Sequence, residues 1–298
     1  MKLGLSTYSL VNVIKSGEMT VLQAIEWIAE NGGEHVEIVP FAFSLAENDK
    51  LINDIRKKVK EVGIEISNYA VLADLLKETE EEYEKEIARL KAEVDIAAKL
   101  GVQLMRHDVS AFRRPMDKNT IIDFEKDLER MVEGCRRIAD YADQFDITTM
   151  VENHGFYVNG SERVQRLVYE VARANFSTLL DVGNFWCMDE QPLIGVKKNI
   201  AYAEMIHLKD FYFRTPQQFP GEGQMYRCDS GTWFQTYTGN LLRGAILGEG
   251  DIDMKAVLKV IKDSGFNGYI SLEFEGMEEG RQGSKIGLEN ARRIWESI

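Results

Sequence analysis

Positive charge is in short supply in this sequence, and histidine, cysteine and proline are scarcer still. Against 49 Asp and Glu stand 36 Lys and Arg, which leaves a formal charge of −13. A surface of that sign repels phosphate backbones, so no nucleic acid partner is expected. A metal cation or a small, weakly charged ligand is easier to accommodate. The three cysteines, Cys135, Cys187 and Cys228, lie far apart and show no pairing pattern. They supply neither a disulfide frame nor a thiolate zinc site, and they suit a reducing, cytoplasmic setting. No apolar run approaches the roughly 18 to 20 residues that a membrane helix needs, so no membrane span is expected. The opening MKLGLSTYSL has one lysine but no long apolar stretch and no small-residue cleavage pattern, so no signal peptide is read there. No Pro/Gly-rich linker divides the chain, and 1–298 is read as a single domain.

What is present is alternation. Strand-like apolar runs and amphipathic helical runs follow one another about eight times, with helices closed by glycines such as Gly63, Gly101 and Gly265. Alternation of this kind gives a parallel sheet, and eight repeats close it into a (β/α)8 TIM barrel of the α/β class. The rival is an open doubly wound sheet, but no Gly-x-Gly-x-x-Gly follows the first strand. The pattern fails once. From Tyr212 to Gly250, after strand seven, glycines, two prolines and aromatics replace the periodicity. That stretch is expected to be a long loop over the pocket mouth, with room for a short hairpin.

Four of the strand-like runs share a design. TTMVENHG, at 148–155, starts β-branched and apolar and ends on Glu152. STLLDVGN ends near Asp181, AEMIHLKDF carries His207, and YISLEFEG carries Glu273. A buried parallel strand that ends this way delivers its last side chains to the barrel's active face. Three carboxylates left alone there would repel one another, and a divalent ion removes that cost. Three oxygen donors and one imidazole suit Mn²⁺, with Mg²⁺, Co²⁺ or Zn²⁺ as alternatives. His107 and His154 stand at or beyond strand ends as second contacts or substrate groups, and Glu37 is read the same way. His35 opens a strand at the opposite rim and reads as structural. Lys209 and Arg214, just after His207, are candidates for substrate oxygens or a phosphate. Trp186 is placed to shield the site, and Asn184 lies three residues beyond Asp181.

These residues carry a resemblance. VENHG, LLDVGN, IHLKD, GEGDID at Gly248 to Asp253, and SLEFEG are similar to motifs of the xylose isomerase-like barrels, the sugar phosphate isomerase/epimerase group. The resemblance implies Glu152, Asp181, His207 and Glu273 as ligands of Mn²⁺ or a related ion, and Glu152 and Glu273 as the acid/base pair. It implies a small sugar or polyol substrate, and it is compatible with a homo-oligomer. The sugar 3-epimerases of the group carry His, Glu and Arg where this chain has Asn184, Phe156 and Phe213. The endonuclease branch needs more histidines than the four present. The leading expectation is therefore a metal-dependent sugar isomerase or epimerase working through an enediolate. The alternative is a lyase or dehydratase on a keto-sugar or keto-inositol at the same site. A sugar-binding barrel with a structural ion, and a nuclease, stand further back.

Overall fold

The structure is a computed structural model that describes residues 1–218 and 233–298. Eight parallel strands close into a barrel: β1 (Lys2–Ser6), β2 (His35–Ile38), β3 (Glu65–Val71), β4 (Leu104–His107), β5 (Thr148–Glu152), β6 (Phe176–Asp181), β7 (Ala203–Leu208) and β11 (Tyr269–Leu272). Around the ring the order is β1, β11, β7, β6, β5, β4, β3, β2. Three further strands, β8 (Asp210–Arg214), β9 (Phe234–Gln235) and β10 (Leu241–Ala245), form a separate antiparallel sheet.

The helices are α1 (Val11–Lys15), α2 (Val21–Glu30), α3 (Asp49–Val62), α4 (Glu80–Leu100), α5 (Ile121–Ala142), α6 (Ser161–Val171), α7 (Pro192–Asn199), α8 (Met254–Asp263) and α9 (Gly280–Glu296). Their ends follow local chemistry. Thr20, Thr79 and Thr120 each accept the backbone N–H three residues on, and Gln23, Glu82 and Asp123 reach back to the threonine N–H. Each such reciprocal pair satisfies donors that a helix start leaves open. Gly63 and Gly101, at φ of 75° and 80°, end α3 and α4 in the left-handed conformation that glycine adopts without strain. No helix among the described residues is long and apolar enough to cross a membrane.

The barrel interior is layered with period two along each strand. Met150, Leu179 and Met205 form a fully buried apolar cluster, with Leu104 and Tyr269 packed against it. Two residues further along the same strands stand Arg106, Glu152, Asp181 and His207. An apolar plug therefore carries a polar layer. His35 lies at the plug end, its ring edge-on to Tyr269 at 4.8 Å and its Nε2 at 3.1 Å from the Ile270 carbonyl. A Cβ on Gly4 would come within 2.5 Å of His35 Nδ1, so glycine is what lets the ring fit.

One expectation needs correction. The strand expected to run on to Phe211 stops at Leu208, and the stretch from Tyr212 to Gly250, read as a loop with room for a short hairpin, holds short antiparallel strands at 212–214, 234–235 and 241–245 among its described residues. Lys209 follows the strand with its ammonium still on the inward face of Met205 and His207, 2.6 Å from Glu273. β8 then starts at Asp210 and pairs antiparallel with β10 from Asp210↔Ala245 to Arg214↔Leu241. The Asp210 carboxylate accepts the backbone N–H groups of Gly248, Gly250 and Ile252. A Cβ on Gly250 would lie 2.2 Å from Asp210 Oδ1. The GEGDID run is thus a backbone wrap around one buried carboxylate. Pro220, Gly221, Gly223 and Gly231 of that stretch, and Cys228 of the three cysteines, lie outside the described residues.

Candidate metal centre

Barrel closure brings the four expected ligands together, because β5, β6, β7 and β11 are consecutive neighbours in the ring. Asp181 and His207 are direct register partners, and Glu273 follows β11 with its N–H on the Leu208 carbonyl. One ligand atom from each of Glu152, Asp181, His207 and Glu273 lies within 4.8 Å of the other three. His207 Nδ1 stands 3.5 Å from Glu152, 3.8 Å from Asp181 and 3.7 Å from Glu273.

The orientation of His207 comes from its other nitrogen. Nε2 lies 2.9 Å from Glu37 Oε2, and Glu37 in turn accepts from Asn68 Nδ2 at 2.9 Å. A carboxylate behind the imidazole fixes the ring and presents Nδ1 to the three carboxylates, as metal-ligating histidines are commonly held. Two buried atoms of the set, His207 Nδ1 and Asp181 Oδ2, make no hydrogen bond within the protein, although the Lys209 ammonium stands 3.4 Å from Oδ2. Buried polar atoms seldom lack a partner. Six carboxylates, Glu37, Asp108, Glu152, Asp181, Glu273 and Glu275, face two permanent cations, Arg106 and Lys209. Donor set, unpartnered atoms and excess negative charge all fit a divalent cation.

The electrostatics show the same strain. Burial disfavours charge on Asp181, and Glu152 and Glu273 add to that against the pull of Lys209, so its carboxyl is pushed up to about 7. Burial acts the same way on Glu152, but Arg106 and His207 outweigh it and hold that carboxyl well below the carboxylate range. Burial resists charge on His207, yet Glu37 and Glu273 drive it well above its ordinary value. A proton on His207 occupies the position a metal needs, so proton and metal compete there.

The other expected site residues divide. His154 borders the cavity, and its Nδ1 is held at 3.1 Å by Asp108 Oδ1. Lys209 is buried with Glu273 at 2.6 Å and Asp181 and Glu275 both at 3.4 Å. Asn184 donates to Glu152 Oε1 at 3.2 Å, and its Oδ1 accepts from Lys209 at 3.3 Å. His107 does not reach the cavity. Its ring is fully buried in the barrel wall, with Nδ1 on the Asp108 carbonyl at 2.8 Å. Arg214 pairs instead with Asp251 at 2.6 Å, beside the Trp233 ring. Trp186 is buried against Phe213, 5.3 Å between centroids, under the second sheet rather than over the site.

Two residues at the candidate site escaped the sequence reading, Arg106 and Asp108. Arg106 sits behind Glu152, its Nη2 2.5 Å from Oε2 and 2.9 Å from Asp108 Oδ1. Period two was the available signal: in LMRH, Leu104 and Arg106 share the inward face, so His107 must point outward. The cavity above this floor holds about 640 Å³. A hollow of about 770 Å³ on the outer wall, between α4, α5 and α6, touches none of the site residues.

Comparison with known proteins agrees with this architecture. The family model of xylose isomerase-like TIM barrels matches residues 25–294. An inosose dehydratase of Bacillus licheniformis is 21% identical over 221 residues, 74% of this chain and 69% of that protein. The match to the inosose dehydratase of Geobacillus thermodenitrificans, 23% identical, spans 51% of this chain and about half, 48%, of that relative's length. Among solved structures, D-psicose 3-epimerase of Clostridium cellulolyticum H10 superimposes with a TM-score of 0.72 at 17% identity, covering 99% of both chains. An IOLI protein with a bound zinc atom gives 0.72 at 18% identity, covering 99% of this chain and 96% of that one.

Proposed function

The chain belongs to the family of xylose isomerase-like TIM barrels, and from that premise we propose that it is a divalent-metal-dependent enzyme that removes the proton alpha to the carbonyl of a keto-sugar or keto-polyol. The observation that carries this reading is the convergence of four ligand atoms within 4.8 Å around an imidazole locked from behind by Glu37. Glu152, Asp181, His207 and Glu273 would hold the ion. Three oxygens and one nitrogen suit Mn²⁺, with Mg²⁺, Co²⁺ and Zn²⁺ acceptable to the same donors. When bound, such an ion supplies Lewis acidity toward adjacent carbonyl and hydroxyl oxygens.

The protein's own groups then divide the proton work. Glu152 is kept ionised by Arg106, so it can accept a proton. Glu273, with the Lys209 ammonium at 2.6 Å, can return one to the other face or to the adjacent carbon. His154, fixed by Asp108, and Lys209 are positioned to hydrogen-bond substrate hydroxyls, and Asn184 ties Glu152 to Lys209. The outcome of this chemistry is isomerisation or epimerisation. Glu152→Gln and Glu273→Gln are each expected to abolish exchange of solvent deuterium into bound sugar, read by NMR or mass spectrometry. Exchange retained in either variant would remove that residue from the pair.

A second outcome has its own support. After the same proton abstraction, a leaving group beta to the carbonyl is expelled, which makes the enzyme a dehydratase or lyase. The relatives named inosose dehydratase favour it, as do Asn184, Phe156 and Phe213, which stand where the resembling 3-epimerases carry His, Glu and Arg. Water release from a panel of keto-inositols and keto-sugars separates the two outcomes.

A further inference from the structure

The cavity has a polar floor, with Tyr8, Arg89, Glu93 and Glu275 adding polar groups to its lining, and one largely apolar wall. Above Glu152, His207 and Glu273 its wall is built from Val39, Pro40, Phe41, Val71, Leu72 and Phe112. Three of these large apolar side chains are exposed: Phe41 at 56%, Leu72 at 46% and Phe112 at 45%. They come from three loops, those after β2, β3 and β4, yet all face one cavity. Two are held in place. Phe41 stands edge-on to Tyr8, 5.8 Å between centroids, and Tyr8 OH donates to Glu275 at 3.1 Å. Phe112 packs 5.1 Å from the His154 ring and edge-on to Phe156 at 5.5 Å. Isolated apolar residues on a surface are ordinary, but apolar residues grouped around a polar floor mark a binding surface.

A lone polyol on the floor would leave the side chains of Phe41, Leu72 and Phe112 wet, since none of the three offers its hydroxyls a partner. A cavity of about 640 Å³ falls in the range of roughly 300 to 1,000 Å³ that takes ligands of drug size. We infer that the substrate has two parts: a keto-sugar or cyclic keto-polyol head on the floor, and an aromatic or branched aliphatic substituent across Phe41, Leu72 and Phe112. The inference rests on the proposed function for its head group and adds the substituent. Two phenylalanine faces suit an aryl ring, which they can meet edge-on or offset-stacked.

The test compares the phenyl and methyl glycosides of one keto-sugar, by calorimetric titration of the Mn²⁺-loaded full chain. The phenyl compound is expected to bind at least tenfold more tightly. In Phe41→Ala and Phe112→Ala the phenyl-to-methyl ratio should fall toward one. A ratio near one in the wild-type protein overturns the inference, and needs no variant to be folded. So does a wild-type preference that both variants retain. Glu273→Gln reports on the head group: weaker binding of both glycosides keeps the floor reading, and unchanged binding of both removes it. If phenyl preference is absent while Glu273→Gln still weakens the methyl compound, the substituent falls and the proposed function stands. If neither glycoside binds the wild-type protein, both fall.

Discussion

Glu37 lies on the far side of His207 from the ligand atoms and touches none of the other three ligands' proposed positions. Its carboxylate nonetheless fixes which nitrogen of the imidazole faces the centre. Glu37→Gln keeps the size and loses the charge. It is expected to weaken metal affinity about 10- to 100-fold, measured by competition with a chromogenic chelator, while far-UV circular dichroism stays unchanged. Arg106 has a comparable role toward Glu152, since without it burial would favour the neutral acid. At this scale the sequence was half readable. Glu152, Asp181, His207 and Glu273 could be found because each closes or follows an apolar run. In LMRH, His107 stands out by residue type, as an imidazole at a strand end. The strand's alternation, which decides the matter, points the other way.

The alternation of strands and helices was legible element by element, because each barrel strand is an apolar run and several helices end on a glycine. The second sheet was legible only as room for a short hairpin. Its strands DFYFR and LLRGA are short, carry arginine and aromatics, and have no alternation strong enough to separate them from loop. What holds this element is a carboxylate. Asp210 accepts from the N–H groups of Gly248 at 2.9 Å, Gly250 at 3.1 Å and Phe211 at 2.8 Å. Asp210→Ala leaves those donors without an acceptor, at about 1 to 3 kcal/mol for a buried group left unmatched. Amide exchange is expected to quicken across 241–252 and 210–214 and to stay slow in β5 and β6. Uniform quickening across the barrel would show that the second sheet is not a separate element.

Global stability carries the mark of His35. Burial lowers its value to about 4, against the pull of the Ile270 and Lys2 carbonyls. Above pH 6.5 the ring is neutral in both folded and unfolded chains, and there is no penalty. As the pH falls from 6.5 toward 4 the unfolded chain takes up a proton that the native ring refuses, so stability drops by up to about 3 kcal/mol. Urea unfolding at pH 7 and pH 4.5 is expected to show this loss, and His35→Gln should flatten its share of the slope. Equal slopes in the two proteins would assign the acid sensitivity to other groups, the carboxylates and the buried His107 among them. The plug of Met150, Leu179 and Met205 beneath the polar layer has a consequence for traffic. The cavity is closed below by this plug, so whatever enters must back out by the way it came. One occupant therefore obstructs the next, and a long chain could offer only its tip.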